Sequence, residues 1–178
     1  MNSIKKDDRI KQINFISGED FYFLTYLILI CLKEISNKKM VFKDHRKLTF
    51  IMQLIASPSA ISILANNEHN SNLHPEDKEI LFDTFVKASL NEREVYKILR
   101  SLEKNKIISL ISTEKPDCYD VQIINKDKIN TFFTTEIFYT EFSNVNILKS
   151  IVQRINSLTL NTLIARVFES YGLKLWAN

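Results

Sequence analysis

The residue types that carry most protein chemistry are scarce in this 178-residue chain, which contains three histidines, two cysteines and two glycines. Average usage near 7% would give about twelve glycines. Gly18 and Gly172 lie far apart, so neither the dinucleotide-binding pattern G-x-G-x-x-G nor the phosphate-binding pattern G-x-x-x-x-G-K-[ST] is present. The sequence therefore predicts no nucleotide-binding loop, no cofactor and no catalytic residues.

One segment contains several residue types that bind metals: Glu68, His69, His74, Glu76 and Asp77. Its two histidines are five positions apart in a loop-like segment, whereas zinc ligands usually share a helix face or include paired cysteines. No metal site is predicted. Cys31 lies in an apolar run and Cys118 in a turn, and neither has a nearby histidine or helix start that would activate its thiol. Two isolated cysteines also form no disulfide framework, which favours a reducing, cytoplasmic location.

Two groups of residues are candidates for contact with DNA or a partner. The first lies on a predicted helix that begins at Asn91, on the side away from its apolar stripe: Arg93, Tyr96, Lys97, Arg100 and Lys104. The second surrounds the start of an earlier helix: Lys38, Lys39, Lys43, Arg46 and Lys47. Glutamates interleave the first group, so a solvated helix face is its alternative, and a solvated loop is the alternative for the second. The net charge of +3 is too small to indicate nucleic-acid binding by itself.

The order of elements begins with an apolar run from Phe21 to Leu32, which is too short for a membrane span of roughly 20 residues and predicts a buried helix through Ile35. A short extended piece precedes a second helix that opens near Asp44. Ser57-Pro58 combines a favoured cap with a proline suited to the first helical position, and predicts a third helix. The polar segment NNEHNSNL that follows is predicted to be a linker.

Residues 75–126 are predicted to form a winged-helix-like lobe. Pro75 opens one helix, and Asn91 with Glu94 has the spacing of a capping box that would start a second. Two β-like runs then flank a turn, at 107–112 and 120–124. A helix, a short turn, a second helix and a two-stranded hairpin are the order of a winged helix.

The last part of the chain is poor in charge. Seven of its 48 residues from Thr131 onward are charged, against 38 of the preceding 130. This depletion predicts either a protein interface or an internal core helix. Residues 132–142 suit a helix or a strand equally, and residues 147–158 and 164–171 have helical spacing. A tail of Leu173, Leu175 and Trp176 is predicted to contact a partner.

The predicted fold is therefore mainly α (α+β). It comprises an N-terminal helical lobe at 1–65, a linker at 66–74, the winged-helix-like lobe at 75–126 and a C-terminal helical interaction region at 127–178.

This arrangement resembles the middle component of bacterial ABC-three-component systems, in particular that of Lamassu-type defence complexes. The resemblance covers residues 20–125: the apolar helix, the block Asp44-His45-Arg46-Lys47-Leu48-Thr49-Phe50, the linker and the winged-helix-like segment. It implies a non-enzymatic accessory subunit that bridges an SMC-like ABC ATPase and an effector nuclease. Such a complex senses foreign double-stranded DNA from phage or plasmids.

Two other functions are compatible with the residues. The main alternative is a stand-alone winged-helix transcription regulator that dimerises through its C-terminal helices. The other is an enzyme whose site assembles from scattered Asp, Glu and His residues.

Overall fold

The computed structural model describes residues 21–67, 72–133 and 138–175. Helices make up most of this part of the chain, and a small antiparallel sheet accompanies them, which confirms the predicted mainly α class. The helices are α1 (residues 21–35), α2 (Lys47–Ile55), α3 (Pro58–Asn66), α4 (Pro75–Lys104), α5 (Lys126–Phe132), α6 (Tyr139–Ile151) and α7 (Leu160–Val167). The strands are β1 (Val41–Phe42), β2 (Ile108–Ser112) and β3 (Tyr119–Ile123).

Helix α1 is the predicted apolar helix. Every residue from Leu27 to Leu32 is fully buried, as expected for a helix with no polar side. Its first turn differs, because Phe21, Tyr22 and Phe23 are 38%, 68% and 41% exposed. The prediction of a buried helix is therefore confirmed from Leu27 onward and is wrong for its first residues.

Two helix starts follow their local signals. The Ser57 hydroxyl accepts a hydrogen bond from the amide of Ala60 at 3.2 Å, and Pro58 occupies the first position of α3. Helix α4 starts at Pro75, with Glu76 and Asp77 in its first turn. Both starts confirm the predictions, since caps and acidic first turns satisfy or complement the free amides of a helix N-terminus.

Helix α4 contradicts the predicted break before the candidate recognition helix. It runs without interruption from Pro75 to Lys104, so Asn91 does not cap a separate helix. A single buried stripe continues through the expected break, and it consists of Leu81, Thr84, Ala88, Val95, Ile98, Leu99 and Leu102. Packing against α2 supports this continuous face.

The sheet confirms the predicted hairpin and adds a third strand to it. Strands β2 and β3 pair antiparallel, with Leu110 opposite Val121. Strand β1, which the sequence predicts only as a short extended piece, pairs with the other edge of β3, with Phe42 opposite Val121. The strand order is β1-β3-β2, and α4 contacts both α2 and β2. Residues 75–126 therefore contain one long helix before the hairpin, and the two helices predicted for the winged-helix-like lobe are not found there.

The predicted helix over residues 147–158 is wrong beyond Ile151. Helix α6 ends there, and Arg154 has a left-handed backbone with φ of 55°, which a helix does not accommodate. A 3₁₀ turn at Ile155–Ser157 leads to α7. Helix α7 ends at Val167, so the predicted helix over residues 164–171 is wrong beyond that residue. A second 3₁₀ turn, Glu169–Tyr171, is followed by Gly172 with a left-handed φ of 83°.

Long-range contacts cross the predicted lobe and linker boundaries at residues 65, 74 and 126. The boundaries themselves remain predictions. The buried Asn144 amide donates to the carbonyl of Ile55 at 2.8 Å and joins α6 to α2. The Tyr171 hydroxyl donates to the carbonyl of Leu64 at 3.1 Å. Buried apolar residues from α1 to Leu173 form a continuous cluster, so the described helices share one core.

Candidate functional site

An open groove of about 540 Å³ lies where the start of α2, the middle of α4 and the start of β3 meet. These elements place aromatic rings on its floor and charged groups on its rim. The lining residues are His45, Arg46, Thr49, Glu92, Arg93, Val95, Tyr96, Lys97, Asp117 and Tyr119. The groove therefore collects residues from both predicted basic groups, because the pairing of β1 with β3 brings the start of α2 next to the hairpin.

Three rings form the floor of this groove. The centroid of the His45 ring lies 5.8 Å from that of Tyr96 and 5.5 Å from that of Tyr119, and the two tyrosine centroids are 6.0 Å apart. The amide of Tyr119 donates to His45 Nδ1 at 3.2 Å, and the His45 amide donates to the Tyr119 carbonyl at 2.8 Å. Burial lowers the pKa of His45, which favours an uncharged imidazole at neutral pH.

Arg100 supports the two tyrosines from the neighbouring turn of α4. Its Nε and Nη2 donate to the Tyr96 hydroxyl at 2.9 Å and 2.6 Å, and its guanidinium lies 5.4 Å from the Tyr119 ring centroid. Glu103 accepts from Arg100 at 3.0 Å and from the backbone amide of Leu110 at 2.8 Å. These bonds raise the pKa of Arg100 and tie strand β2 to the helix, so the rings are held in place before any ligand arrives.

The charges on the rim differ in how they are paired. Arg46 makes a two-pronged contact with Asp44, at 2.9 Å and 2.8 Å, and this contact raises the pKa of Arg46. Lys97 lies 2.7 Å from Glu94, and both side chains are well exposed. Such exposed pairs contribute about 0–1 kcal/mol, so Lys97 exchanges partners at little cost.

The structure places the other members of the two basic groups differently. Lys38, Lys39, Lys43 and Lys104 are exposed but do not line the groove. Lys47 is a correction, because its side chain is fully buried and unable to reach a ligand. Its ammonium donates to the carbonyls of Ile155, Asn156 and Leu158 at 3.3, 2.7 and 2.9 Å. Burial lowers its pKa to about 8.

A second surface, the aromatic patch, surrounds Tyr26 at the exposed end of α1. The Tyr26 ring stacks on Phe138 at 4.5 Å and meets the edge of Phe132 at 6.1 Å. Tyr22 and Phe23 lie one helical turn before Tyr26, on the same face. The exposed members of the patch are Phe21, Tyr22, Phe23, Phe132 and Tyr139, with exposed fractions of 38–76%.

The predicted contact tail is only partly available to a partner. Leu173 is buried in the core of the chain itself, which corrects its assignment to an interface. Leu175 is half-buried and packs against the same core, while Trp176 lies outside the described residues. For residues 132–142, which suit a helix or a strand equally by sequence, the structure shows the end of α5 at Phe132 and the start of α6 at Tyr139. Residues 134–137 lie outside the described part.

Within residues 21–67, 72–133 and 138–175, no cluster of three or more His, Cys, Asp or Glu side chains has the geometry to hold a metal ion. His69 and Glu68 of the predicted ligand-like segment lie outside these residues. Burial raises the pKa of the Cys31 thiol, and a protonated thiol is a poor nucleophile. The groove and the patch themselves present aromatic rings, ion pairs and exposed apolar side chains.

Comparison with known proteins gives no match to a family model, a curated protein or a solved structure. In the described part of the chain, no single helix has the length and apolar character needed to cross a membrane. Helices α2 and α3 meet that test only when taken together, and the angle between them is 93°.

Sequence reasoning missed Tyr119 as a groove residue. Its position just after the turn at Pro116-Asp117 is a weak signal, since the local sequence does not show that this end of the hairpin packs against α4. His45 lies between Lys43 and Arg46 of the second basic group, but its buried ring and its bond to β3 depend on the pairing of β1 with β3.

Proposed function

We propose that this chain is a non-catalytic accessory subunit of a cytoplasmic bacterial defence complex, where it joins an SMC-like ABC ATPase to an effector nuclease. The class of complex comes from the resemblance of residues 20–125 to middle components of ABC-three-component systems. The proposal that the chain acts by binding other proteins is supported by its surfaces.

The observation that carries the proposal is the aromatic patch. Large exposed aromatic side chains are enriched at protein interfaces, and a contiguous group of them is unusual on a surface that stays in water. No charged residue lies between Phe21 and Leu32, and Tyr139 is 76% exposed. The patch also includes Phe132 from the charge-poor region, so it supports the predicted interface at a different place from the tail.

The charge pattern of α4 favours this function over a stand-alone transcription regulator. Lys97 is paired with Glu94, and Arg100 is paired with Glu103 and bound to Tyr96. A helix that reads duplex DNA needs such cations for phosphates and base edges. The partners of Arg100 weaken that role for Arg100, whereas the exposed pair of Lys97 with Glu94 is exchanged at little cost.

A pull-down with an SMC-like ATPase encoded beside this chain tests the proposal. Tyr22→Asp and Tyr139→Asp each place a charge at an exposed position of the patch, so the fold is expected to persist while recovery of the ATPase falls. Leu90→Asp is the matched control, since Leu90 is an exposed apolar residue at 76% outside the patch. Equal recovery with all variants, or no recovery with the wild type, contradicts the proposal.

A further inference from the structure

We propose that the groove between α2, α4 and β3 binds single-stranded nucleic acid, with bases on its aromatic floor and phosphates at its rim. This inference goes beyond the proposed function, because it concerns a different surface from the aromatic patch and a different kind of ligand. It rests on the groove alone.

The floor provides faces for bases. Proteins that bind single strands combine aromatic side chains, on which bases stack, with a groove lined by cations. Here Tyr96 and Tyr119 are both half-buried, and the Arg100 guanidinium lies 5.1 Å and 5.4 Å from their ring centroids. Each ring is therefore fixed, and the part that remains accessible is where a base would stack. The volume of about 540 Å³ lies within the 300–1,000 Å³ typical of ligand pockets, a range that suits a nucleotide.

The rim provides donors for phosphates. Arg93 is exposed and lies on the same face of α4 as Lys97, one helical turn away. Arg46 uses its Nε and one Nη2 donor on Asp44, and a guanidinium has five N–H donors. Asp44 thereby fixes the orientation of the partly exposed Arg46 side chain at the rim.

The concave shape favours a single strand over a duplex. Paired bases are stacked inside a duplex and present only their edges, so a duplex would leave the ring faces of Tyr96 and Tyr119 unused. A single strand exposes its bases and bends into a groove of this size. The rim carboxylates of Glu92 and Asp117 repel phosphates, so we expect modest affinity with a shallow salt dependence.

Fluorescence anisotropy of a fluorescein-labelled oligothymidine tests the inference at low salt, with a hairpin duplex of equal charge as the comparison. We expect the wild type to bind the single strand more tightly. Tyr96→Ala should weaken binding at least about fivefold, the lower limit for losing one stacked base, and Tyr96→Phe should retain most of it. Arg93→Ala should also weaken binding, and Glu92→Gln should strengthen it.

Lys87→Ala is the matched control, because Lys87 is an exposed cation on the same helix that lines a different hollow. It should leave the affinity unchanged. The inference is overturned if the oligothymidine does not bind, if the duplex binds equally well, or if Lys87→Ala and Arg93→Ala have equal effects. It is also overturned if groove variants lose a protein partner while DNA affinity stays constant.

The two proposals fail separately. Tyr139→Asp should leave oligothymidine binding unchanged, and Arg93→Ala should leave recovery of the ATPase unchanged.

Discussion

Lys47 gives the sharpest test of how the C-terminal part of the chain is held. Its buried ammonium donates to three carbonyls of the loop before α7, at 3.3, 2.7 and 2.9 Å. Lys47→Met removes the donor and keeps a similar apolar stem. The three acceptors then lose their partner at a cost of about 1 kcal/mol each, the lower limit for a buried polar group. Part of this free energy is recovered, because the methionine variant no longer buries a charged ammonium. We expect a net loss of about 2 kcal/mol at pH 7.

The pH dependence of this loss has a definite sign. Burial lowers the pKa of Lys47 from 10.5 to about 8. Between these values the unfolded chain holds a proton that the folded chain has released, so the free energy of unfolding rises with pH in this window. The rise is at most about 3 kcal/mol, since one pKa unit corresponds to about 1.4 kcal/mol. The methionine variant lacks this contribution.

Urea unfolding followed by circular dichroism, at pH 7 and near pH 10, measures both quantities. The difference between wild type and Lys47→Met should grow with pH. Lys43→Met, at a nearby exposed position, controls for the general effect of losing a lysine. A difference that shrinks as pH rises would refute the reasoning, because it would mean that the three carbonyls outweigh burial and raise the pKa.

Three further substitutions test the fold by urea unfolding. Asn91→Ala should stabilise the protein by about 0.5 kcal/mol, because alanine is the better residue inside a continuous helix; a loss of about 1 kcal/mol would show that Asn91 caps a separate helix. Asn144→Ala should lower the free energy of unfolding by about 1–3 kcal/mol, because it leaves the buried Ile55 carbonyl without its 2.8 Å donor. An unchanged stability would place that carbonyl in contact with water. Gly172→Ala should cost about 1 kcal/mol, since a Cβ disfavours its φ of 83°, and a neutral result would argue against the left-handed turn.

The parts of the fold that the sequence predicted correctly depend on neighbouring residues. Ser57 and Pro58 start α3 through interactions within one turn, and the hairpin follows from two β-like runs around Pro116-Asp117. The apolar run ending at Leu32 has no polar side, so burial is the only stable outcome for most of it. Each of these signals acts over a few residues.

The parts that were predicted wrongly depend on distant partners. The capping signal at Asn91 is outweighed by packing along α4, whose buried stripe continues from Ala88 to Val95. Lys47 is charged and would be expected at the surface, but its acceptors lie 108 to 111 residues further along the chain.

The same reason limits prediction of the candidate site. Arg93, Tyr96 and Lys97 were identified because they share one helix face. Tyr119 joins them because the β2–β3 hairpin packs against α4, and His45 joins them because β1 pairs with β3; no local pattern predicts either contact. The groove is therefore a property of the tertiary structure, and local sequence patterns do not predict its aromatic floor.

We propose that this chain joins two other proteins. Co-expression with an SMC-like ATPase and an effector nuclease encoded beside it, followed by size-exclusion chromatography and native mass measurement, is the most direct test. We expect one complex that contains all three proteins and that loses the effector when this chain is omitted. An ATPase–effector complex that forms equally well without this chain, or elution of this chain by itself, would contradict it.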